Sequence, residues 1–249
     1  MIMKQIESSH ADTGTHVRTR LYVLIACEES QAECRAFREL GHIAFSCDVQ
    51  PCIKTGNPDW HIQGDVTPLL QGGVQFTTQN GVQMNVPKWD LIIAHPPCTY
   101  LCKVGSVRLI NRKAMEAPGP GWIWSKSKNA WLNLERWEKL KKARTFFNLC
   151  LNAQAKYVAV ENPLPMALSG LPKPSCFACP SWFGVKYTKK TLYWLRNLPP
   201  LVASCEYPNP KDYVRSSRGK YRSRTFSALA KALATQWSEF IIHESAAHI

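Results

Sequence analysis

LYVLIACEESQAECRAFRELGHIAFSCD, residues 21–48, is the stretch that decides the fold. Its opening run, 21–27, is apolar and rich in branched side chains, which predicts a short buried strand. Apolar side chains recur at helical spacing over residues 30–40, and Gly41 marks the end of the predicted helix. A further apolar run at 42–48 predicts another strand. This strand–helix–strand unit predicts two parallel strands joined by a crossover helix.

The same alternation continues along the chain. Apolar strands are predicted within WDLIIAHPPC (89–98), KYVAVEN (156–162) and TLYWL (191–195), and helices over residues 131–154 and 223–241. Strands and helices that alternate at these spacings predict an α/β fold. We expect a mostly parallel sheet with helices on both faces.

Other segments fall outside this alternation. Residues 1–20 are polar and predict a flexible leader, so the main domain is expected over residues 21–242. An Asn-Gly pair at 80–81 lies between two alternating runs and predicts a β-hairpin. Two basic segments, at about 102–130 and 205–222, predict small surface loops.

The composition indicates a globular protein with a polyanionic partner. Hydrophobic residues make up 45% of the chain and charged residues 20%, which supplies enough apolar material for a core. The formal net charge of +13 favours nucleic acid as the partner, with general solubility as the alternative explanation. The basic residues cluster in four segments, 103–113, 126–144, 186–196 and 211–224.

The sequence also predicts a cytoplasmic location. The N-terminus is polar, so no signal peptide is predicted, and no apolar run reaches the roughly 18 residues of a membrane span. Ten cysteines in a chain of this composition indicate free thiols in a reducing compartment. The pair Cys176 and Cys179 lacks a second pair of ligands at comparable spacing, so no metal site is predicted.

Two further groups of side chains allow only less specific interpretations. Cys102, four residues after Cys98, is interpreted as an incidental thiol, with a redox partner of Cys98 as the alternative. Trp122 and Trp124 lie in a basic loop and are candidates for stacking on bases. Trp131 and Trp137 are instead expected on the face of the long helix that packs against the core.

Reactive or polar side chains follow each predicted strand. Cys27 and Glu28 end the first, Asp48 the second, Cys98 the third and Glu161 the fourth. Ligands of doubly wound sheets bind at the carboxyl ends of the strands, so we expect these side chains to line one site.

The HPPC and VENP segments have chemistry that suits a covalent reaction. Two prolines force a rigid turn and position Cys98 at its mouth, where a thiolate can add to an electron-poor ring carbon. A buried structural cysteine is the alternative. Placing the Glu161 carboxyl group at the tip of an apolar strand costs free energy unless the group is paired or takes part in chemistry. A helix-capping or surface role is the alternative.

These two segments, about 60 residues apart on predicted strands, resemble the Pro-Cys and Glu-Asn motifs of DNA cytosine-C5 methyltransferases. The resemblance is nearest to short phage-encoded proteins of that kind and runs over most of residues 21–240. It implies a Rossmann-like class I methyltransferase fold, S-adenosylmethionine as cofactor, and methyl transfer to C5 of cytosine in DNA. It also implies a role in phage DNA modification, in the host cytoplasm.

The resemblance assigns roles to individual residues. Cys98 would attack C6 of a cytosine that has left the base stack, and Glu161 would hold N3 and the exocyclic amine. The residues expected at the cofactor are Ala26, Cys27, Glu28, Asp48, Asp65 and Pro96. Those expected against the substrate are Pro97, Asn162, Lys190, Thr191, Arg222 and Arg224.

Two features depart from the family pattern. Residues 26–31, ACEESQ, contain no glycine where the family has a glycine-rich loop. Only 27 residues separate Leu195 from Ser223, where typical members insert a large target-recognition region. Duplex DNA, single strands and smaller substrates therefore stay open, as does a separate recognition partner. The alternatives are a methyltransferase of another pyrimidine substrate, such as a nucleotide or RNA, and an inactive nucleic-acid-binding module.

Overall fold

The computed structural model describes residues 4–5, 20–212 and 224–247, which form an α/β structure with four sheets. The strands of the main sheet are β2 (Tyr22–Ala26), β3 (Ile43–Asp48), β4 (His61–Gln63), β7 (Leu91–Ala94), β11 (Tyr157–Asn162), β12 (Cys176–Ala178) and β14 (Thr191–Arg196). The short strands outside it are β1 (Lys4–Gln5), β5 (Gln75–Thr77), β6 (Gln83–Asn85), β8 (Ile110–Asn111), β9 (Trp122–Ser125), β10 (Ala130–Asn133), β13 (Tyr187–Thr188) and β15 (Lys211–Asp212). The α-helices are α1 (Ala32–Glu39), α2 (Thr67–Leu70), α3 (Leu134–Leu151) and α4 (Ser227–Ala246).

The main sheet has seven strands in the order β12-β14-β11-β7-β2-β3-β4. The five strands from β4 to β11 are mutually parallel, and β14 runs antiparallel to both of its neighbours. From β2 the chain builds outward to β4 and then returns to the other side of β2 with β7. The direction in which the chain adds strands to the sheet therefore reverses between β2 and β7. Sheets of this kind bind ligands at that point.

Helices cover both faces of the main sheet. Val23 and Ile25 of β2 face the core on the side of α1 and α4, whereas Leu24 and Ala26 face the core on the side of α3. All four side chains are fully buried. Strands covered on both faces have near-continuous apolar sequences, which explains why residues 21–27 show no alternation with polar residues. The prediction of a mostly parallel sheet between helices is confirmed.

The segment 102–130, predicted as a small surface loop, contains short regular elements. A 3-10 helix over Lys103–Arg108 is followed by a small antiparallel sheet in the order β8-β10-β9. Trp131 lies in β10, edge-on to Trp124 with 5.5 Å between ring centroids, and not in the helix core. The helix α3 begins only at Leu134, because the Asn133 side chain accepts a hydrogen bond from the third helical residue and caps it.

The N-terminal segment and the segments outside the main sheet were predicted in part. Within the segment predicted as a leader, strand β1 pairs parallel with β6. The predicted hairpin at 80–81 is confirmed by the antiparallel pair β5 and β6. The rest of the leader and residues 213–223, including Arg222, lie outside the described residues. Within the described ranges, no helix has the length and apolar character needed to cross a membrane.

Candidate active site

A cavity of about 300 Å³ opens at the reversal point between β2 and β7. Its walls come from the tips of β2, β3 and β7 and from the segment just before α4. Its lining includes Cys27, Glu28, Asp48, Gln50, His95 and Arg224. The four strand tips that the sequence singled out therefore lie along one edge of the sheet, as their parallel directions require.

The loop after β2 adopts left-handed backbone conformations without any glycine. Cys27 has φ of 62° and Gln31 has φ of 56°. This conformation costs a residue with a side chain roughly 1–2 kcal/mol. At Gln31 the cost is offset by hydrogen bonds, because its side-chain amide donates to Ser46 Oγ at 3.1 Å and accepts from Asn57 N at 2.7 Å. The loop thus keeps the sharp turns for which glycine is the usual residue.

Glu28 caps helix α1 from within this loop. Its Oε1 accepts from the backbone N–H of Glu33 at 2.8 Å, and its Oε2 accepts from that of Cys34 at 3.3 Å. Burial and the neighbouring Glu33 charge raise the pKa of Glu28 to about 7, against the opposing pull of the two N–H donors. The carboxyl group that was expected at the cofactor is therefore committed to the start of α1.

The structure separates the other residues predicted at the cofactor into two groups. Cys27 and Asp48 line the cavity, and Asp48 Oδ1 also accepts from Gln50 N at 2.8 Å. The remaining three lie away from the lining. Ala26 and Pro96 are buried, while the exposed Asp65 accepts from Thr67 N at 2.9 Å and so fixes the start of α2.

Asn162 holds the turn that carries Cys98. It is fully buried at the end of β11, and its Nδ2 donates to the carbonyl of Pro96 at 2.9 Å. Beyond the second proline, Leu101 N and Cys102 N both donate to Cys98 O at 2.9 Å and close a helical turn. Asn162 was expected to contact the substrate, and the structure gives it a positioning contact instead.

The thiols of Cys98 and Cys102 interact through a hydrogen bond. The hydrogen bond to the Cys102 thiol, burial, and the negative charges of Cys102 and Glu161 all raise the pKa of Cys98. The same hydrogen bond, supported by the backbone N–H groups of Val104 and Gly105, lowers the pKa of Cys102 to about 6. Cys102 is therefore the acidic member of the pair, and the interpretation of this thiol as incidental does not describe its contacts.

Glu161 is part of a chain of three ionisable side chains. His95, directly after β7, places Nδ1 at 3.2 Å from Glu161 Oε2 and Nε2 at 3.0 Å from Glu33 Oε2. Burial alone would lower the pKa of His95, but the two carboxylates raise it well above its usual value. Burial likewise opposes ionisation of Glu161, and the hydrogen bond and charge of His95 outweigh it and lower the pKa of that carboxyl.

The residues predicted at the substrate are spread around this edge of the sheet. Pro97 is exposed beside Cys98, whereas Thr191 is buried and its hydroxyl donates to Lys189 O at 3.0 Å. Lys190 turns away, with its ammonium 4.3 Å from the centroid of the Phe177 ring. Arg224 lines the cavity, 3.8 Å from Glu29 Oε1, so it lies on the side predicted for the cofactor.

Sequence reasoning placed His95 at a strand tip without giving it a role, and it missed Glu33 and Thr225. Thr225 donates its hydroxyl to Glu33 Oε1 at 3.1 Å, across 192 residues of sequence. Glu33 is fully buried in α1, although its position in the sequence is typical of an acidic residue in a first helical turn. The placement of His95 directly before two prolines at a strand tip was the one available signal.

Comparison with known proteins does not place the chain in a family. No protein-family model matches this sequence, and no curated protein matches it.

Proposed function

We propose that this chain is a methyltransferase that transfers the methyl group of S-adenosylmethionine to C5 of cytosine in DNA. The placement of Cys98 and Glu161 supports this proposal most directly. Cys98 follows β7, and Glu161 lies near the end of the neighbouring parallel strand β11. The Glu161 charge is close enough to act on the Cys98 thiol. A nucleophile and an acid on one edge are what covalent attack on a pyrimidine ring requires.

The order of the main sheet supports a Rossmann-like class I fold. Numbering only its strands along the chain gives the order 3-2-1-4-5-7-6. The first five follow the order of doubly wound dinucleotide-binding sheets, and the cavity lies at the same reversal point that binds the ligand there. The seventh strand, β14, is the antiparallel one and brings Thr191 to the edge that holds Glu161.

The cavity suits the proposed cofactor in size and chemistry. It measures about 300 Å³, and Asp48 at the tip of β3 has one carboxylate oxygen beyond its bond to Gln50, which suits a ribose hydroxyl. Glu29 at the rim suits a cationic amine. Glu28 is excluded from this role by its bonds to α1. When bound, S-adenosylmethionine supplies an electrophilic methyl group.

Cys98 and its neighbours supply the rest of the chemistry. Cys98 is partly exposed, so its thiol proton can pass to water, and the Cys98 sulfur then bonds to C6 while the C5–C6 π electrons move to C5. That electron pair is the nucleophile to which the bound cofactor would supply its methyl group, and the electrons of the broken methyl–sulfur bond would remain on the cofactor sulfur. A base then removes the C5 proton, and the C5–C6 double bond re-forms as the sulfur leaves. The target base must first swing out of the stack to reach Cys98.

A basic and partly apolar rim next to Cys98 supports a nucleic-acid substrate. Lys103 and Arg108 are exposed on the 3-10 helix that follows Cys102. Val104 and Val107, on the same helix, are 85% and 74% exposed. Trp124 in the neighbouring small sheet is 46% exposed, which leaves its ring available for stacking on a base.

Trapping on DNA that contains 5-fluorocytosine tests the proposal. Fluorine at C5 cannot leave as a proton does, so the adduct between Cys98 and C6 should persist and be located by peptide mass spectrometry. The variant Cys98→Ser should form no adduct, whereas Cys205→Ser, at an exposed thiol, should form as much as the unmodified protein. An adduct at another cysteine, or none in the presence of the cofactor, would refute the proposed mechanism.

One observation supports a second candidate function, in which the substrate is smaller than duplex DNA. The short span between β14 and α4 leaves little chain for reading a duplex sequence. Methyl incorporation should therefore be compared among duplex DNA, single-stranded DNA, RNA and free cytosine nucleotides. Incorporation into nucleotides alone would replace DNA with a small pyrimidine as the substrate.

A further inference from the structure

His95 lies between two carboxylates at the centre of the candidate site. Its Nε2 faces Glu33 at 3.0 Å and its Nδ1 faces Glu161 at 3.2 Å. The side chains are 13%, 0% and 16% exposed for His95, Glu33 and Glu161. A neutral imidazole has one donor and one acceptor nitrogen, so one carboxylate would then face a lone pair. Only the doubly protonated ring donates to both partners.

The surroundings of His95 favour the charged ring. Glu28, at the start of α1, adds a third carboxyl group that interacts with it. On the other side, Lys189 acts on Glu161, and the buried Tyr193 of β14 lies opposite Glu161 in the pairing. Arg224 is a cation that lines the same cavity as His95. The net charge around the ring is negative, which stabilises an imidazolium.

The two carboxylates are not equivalent. Glu33 is completely buried and receives the Thr225 hydroxyl on its other oxygen at 3.1 Å. Glu161 lies at the strand tip with Cys98 nearby and retains some exposure. Glu33 therefore anchors the Nε2 proton, and the proton on Nδ1 is the one that faces the reacting edge.

We propose that His95 is a positioning residue that stores the proton which Glu161 delivers to a pyrimidine ring. The inference rests on the proposed function and deepens it. As the Cys98 sulfur bonds to C6, the proton on His95 Nδ1 passes to Glu161, and Glu161 passes a proton to N3 of the base. N3 gains one proton and His95 becomes neutral, still held through Nε2–H by Glu33. When the sulfur leaves, the proton returns along the same path.

The charge on His95 is measurable without any activity. Ring-nitrogen NMR of the full chain, labelled at histidine, should show His95 doubly protonated at pH 7 and titrating above the other histidines. Glu33→Gln removes one of its two flanking charges and should lower the His95 pKa by about 1 to 3 pH units. Glu39→Gln, at an exposed position of the same helix, should leave the His95 titration unchanged.

Thr225→Val provides a test of opposite sign. Loss of the hydroxyl donor leaves the Glu33 charge less compensated, so Glu33 should attract the His95 proton more strongly and the pKa of His95 should rise. This variant alters one hydroxyl at a half-buried position, so it remains informative if Glu33→Gln does not fold. A fall of the pKa in Thr225→Val would overturn the proposed anchoring by Glu33.

Kinetic measurements test whether the proton held by His95 takes part in the reaction. The alkaline limb of the single-turnover methylation rate should follow the His95 titration and move to lower pH in Glu33→Gln by the shift that NMR records. An unmoved alkaline limb, or a neutral His95 at pH 7 in the unmodified protein, overturns the proton store and leaves methyl transfer standing. A charged His95 in a protein that forms no adduct on 5-fluorocytosine DNA overturns the proposed function instead.

Discussion

The side-chain amide of Asn162 donates to the carbonyl of Pro96 at 2.9 Å, and this bond joins the tips of β11 and β7. Pro96 and Pro97 contribute no backbone N–H, so the turn has few other hydrogen bonds with which to hold its shape. Asn162 directly follows Glu161 in β11, so this hydrogen bond ties the turn that carries Cys98 to the strand that carries Glu161.

Asn162→Ala should lower the free energy of unfolding by about 1–3 kcal/mol, because it leaves the buried Pro96 carbonyl without its donor. Urea denaturation measures the difference. Asn85→Ala is the matched control, since Asn85 is exposed in β6 and should change the stability little. Equal losses for the two variants would show that the Asn162 bond does not hold the turn.

Glu28→Gln should change how stability depends on pH. The pKa of Glu28 is raised to about 7 in the folded protein, above its usual 4.5, so the folded state binds this proton more tightly than the unfolded state does. That contribution is full below about pH 4.5 and is lost as the pH rises to about 7. The stability of the unmodified protein relative to Glu28→Gln should fall over this range, by at most about 1.4 kcal/mol per pH unit. A relative stability that rises over the same range would contradict the raised pKa.

The variant Cys27→Gly should be more stable than Cys27→Ala, whereas the opposite order is expected at an ordinary helical or strand position. Its φ of 62° costs alanine roughly 1 kcal/mol or more and costs glycine almost nothing. We expect Cys27→Gly to unfold at a higher urea concentration than Cys27→Ala. At Cys34, within α1, the order should be reversed, with alanine the more stable. The same order at both sites would mean that the left-handed turn does not form.

Cys98→Ser should yield no methylated product while it changes DNA affinity little. A serine hydroxyl in place of the thiol removes the nucleophile but keeps the size of the side chain at the turn. Radiolabelled methyl incorporation and a binding titration measure the two effects separately. Full turnover in Cys98→Ser would exclude covalent attack by this residue.

DNA affinity should fall steeply with salt. For about six phosphate contacts, the affinity is expected to drop on the order of 10³-fold between 50 and 200 mM salt. Lys103→Gln and Arg108→Gln, on the rim beside Cys98, should each reduce the slope by about one. Lys88→Gln is the control, because Lys88 precedes β7 at the opposite edge of the sheet and pairs with Asp90 at 3.3 Å. An equal effect of all three variants would place the DNA elsewhere.

Sequence reasoning located five of the seven strands of the main sheet, because each of the five is a continuous apolar run bounded by polar or proline residues. It placed Cys98 and Glu161 at strand tips for the same reason. It missed β4 and β12, which have only three residues each. It failed for the segment 102–130, where strands of two to four residues are too short to show a period. It also assigned Glu28 to the cofactor, because the donors that this carboxylate accepts from become visible only once α1 is built.

The sequence by itself determined five strands of the main sheet and the edge on which reactive side chains collect, since both follow from where apolar runs begin and end. Only the tertiary structure decided what those side chains contact. Glu33 and His95 are 62 residues apart and Thr225 lies 192 residues from Glu33, and no local pattern encodes either pairing. Such contacts arise because packing α1 against the sheet buries a carboxylate, and a buried charge must find partners wherever the fold brings them.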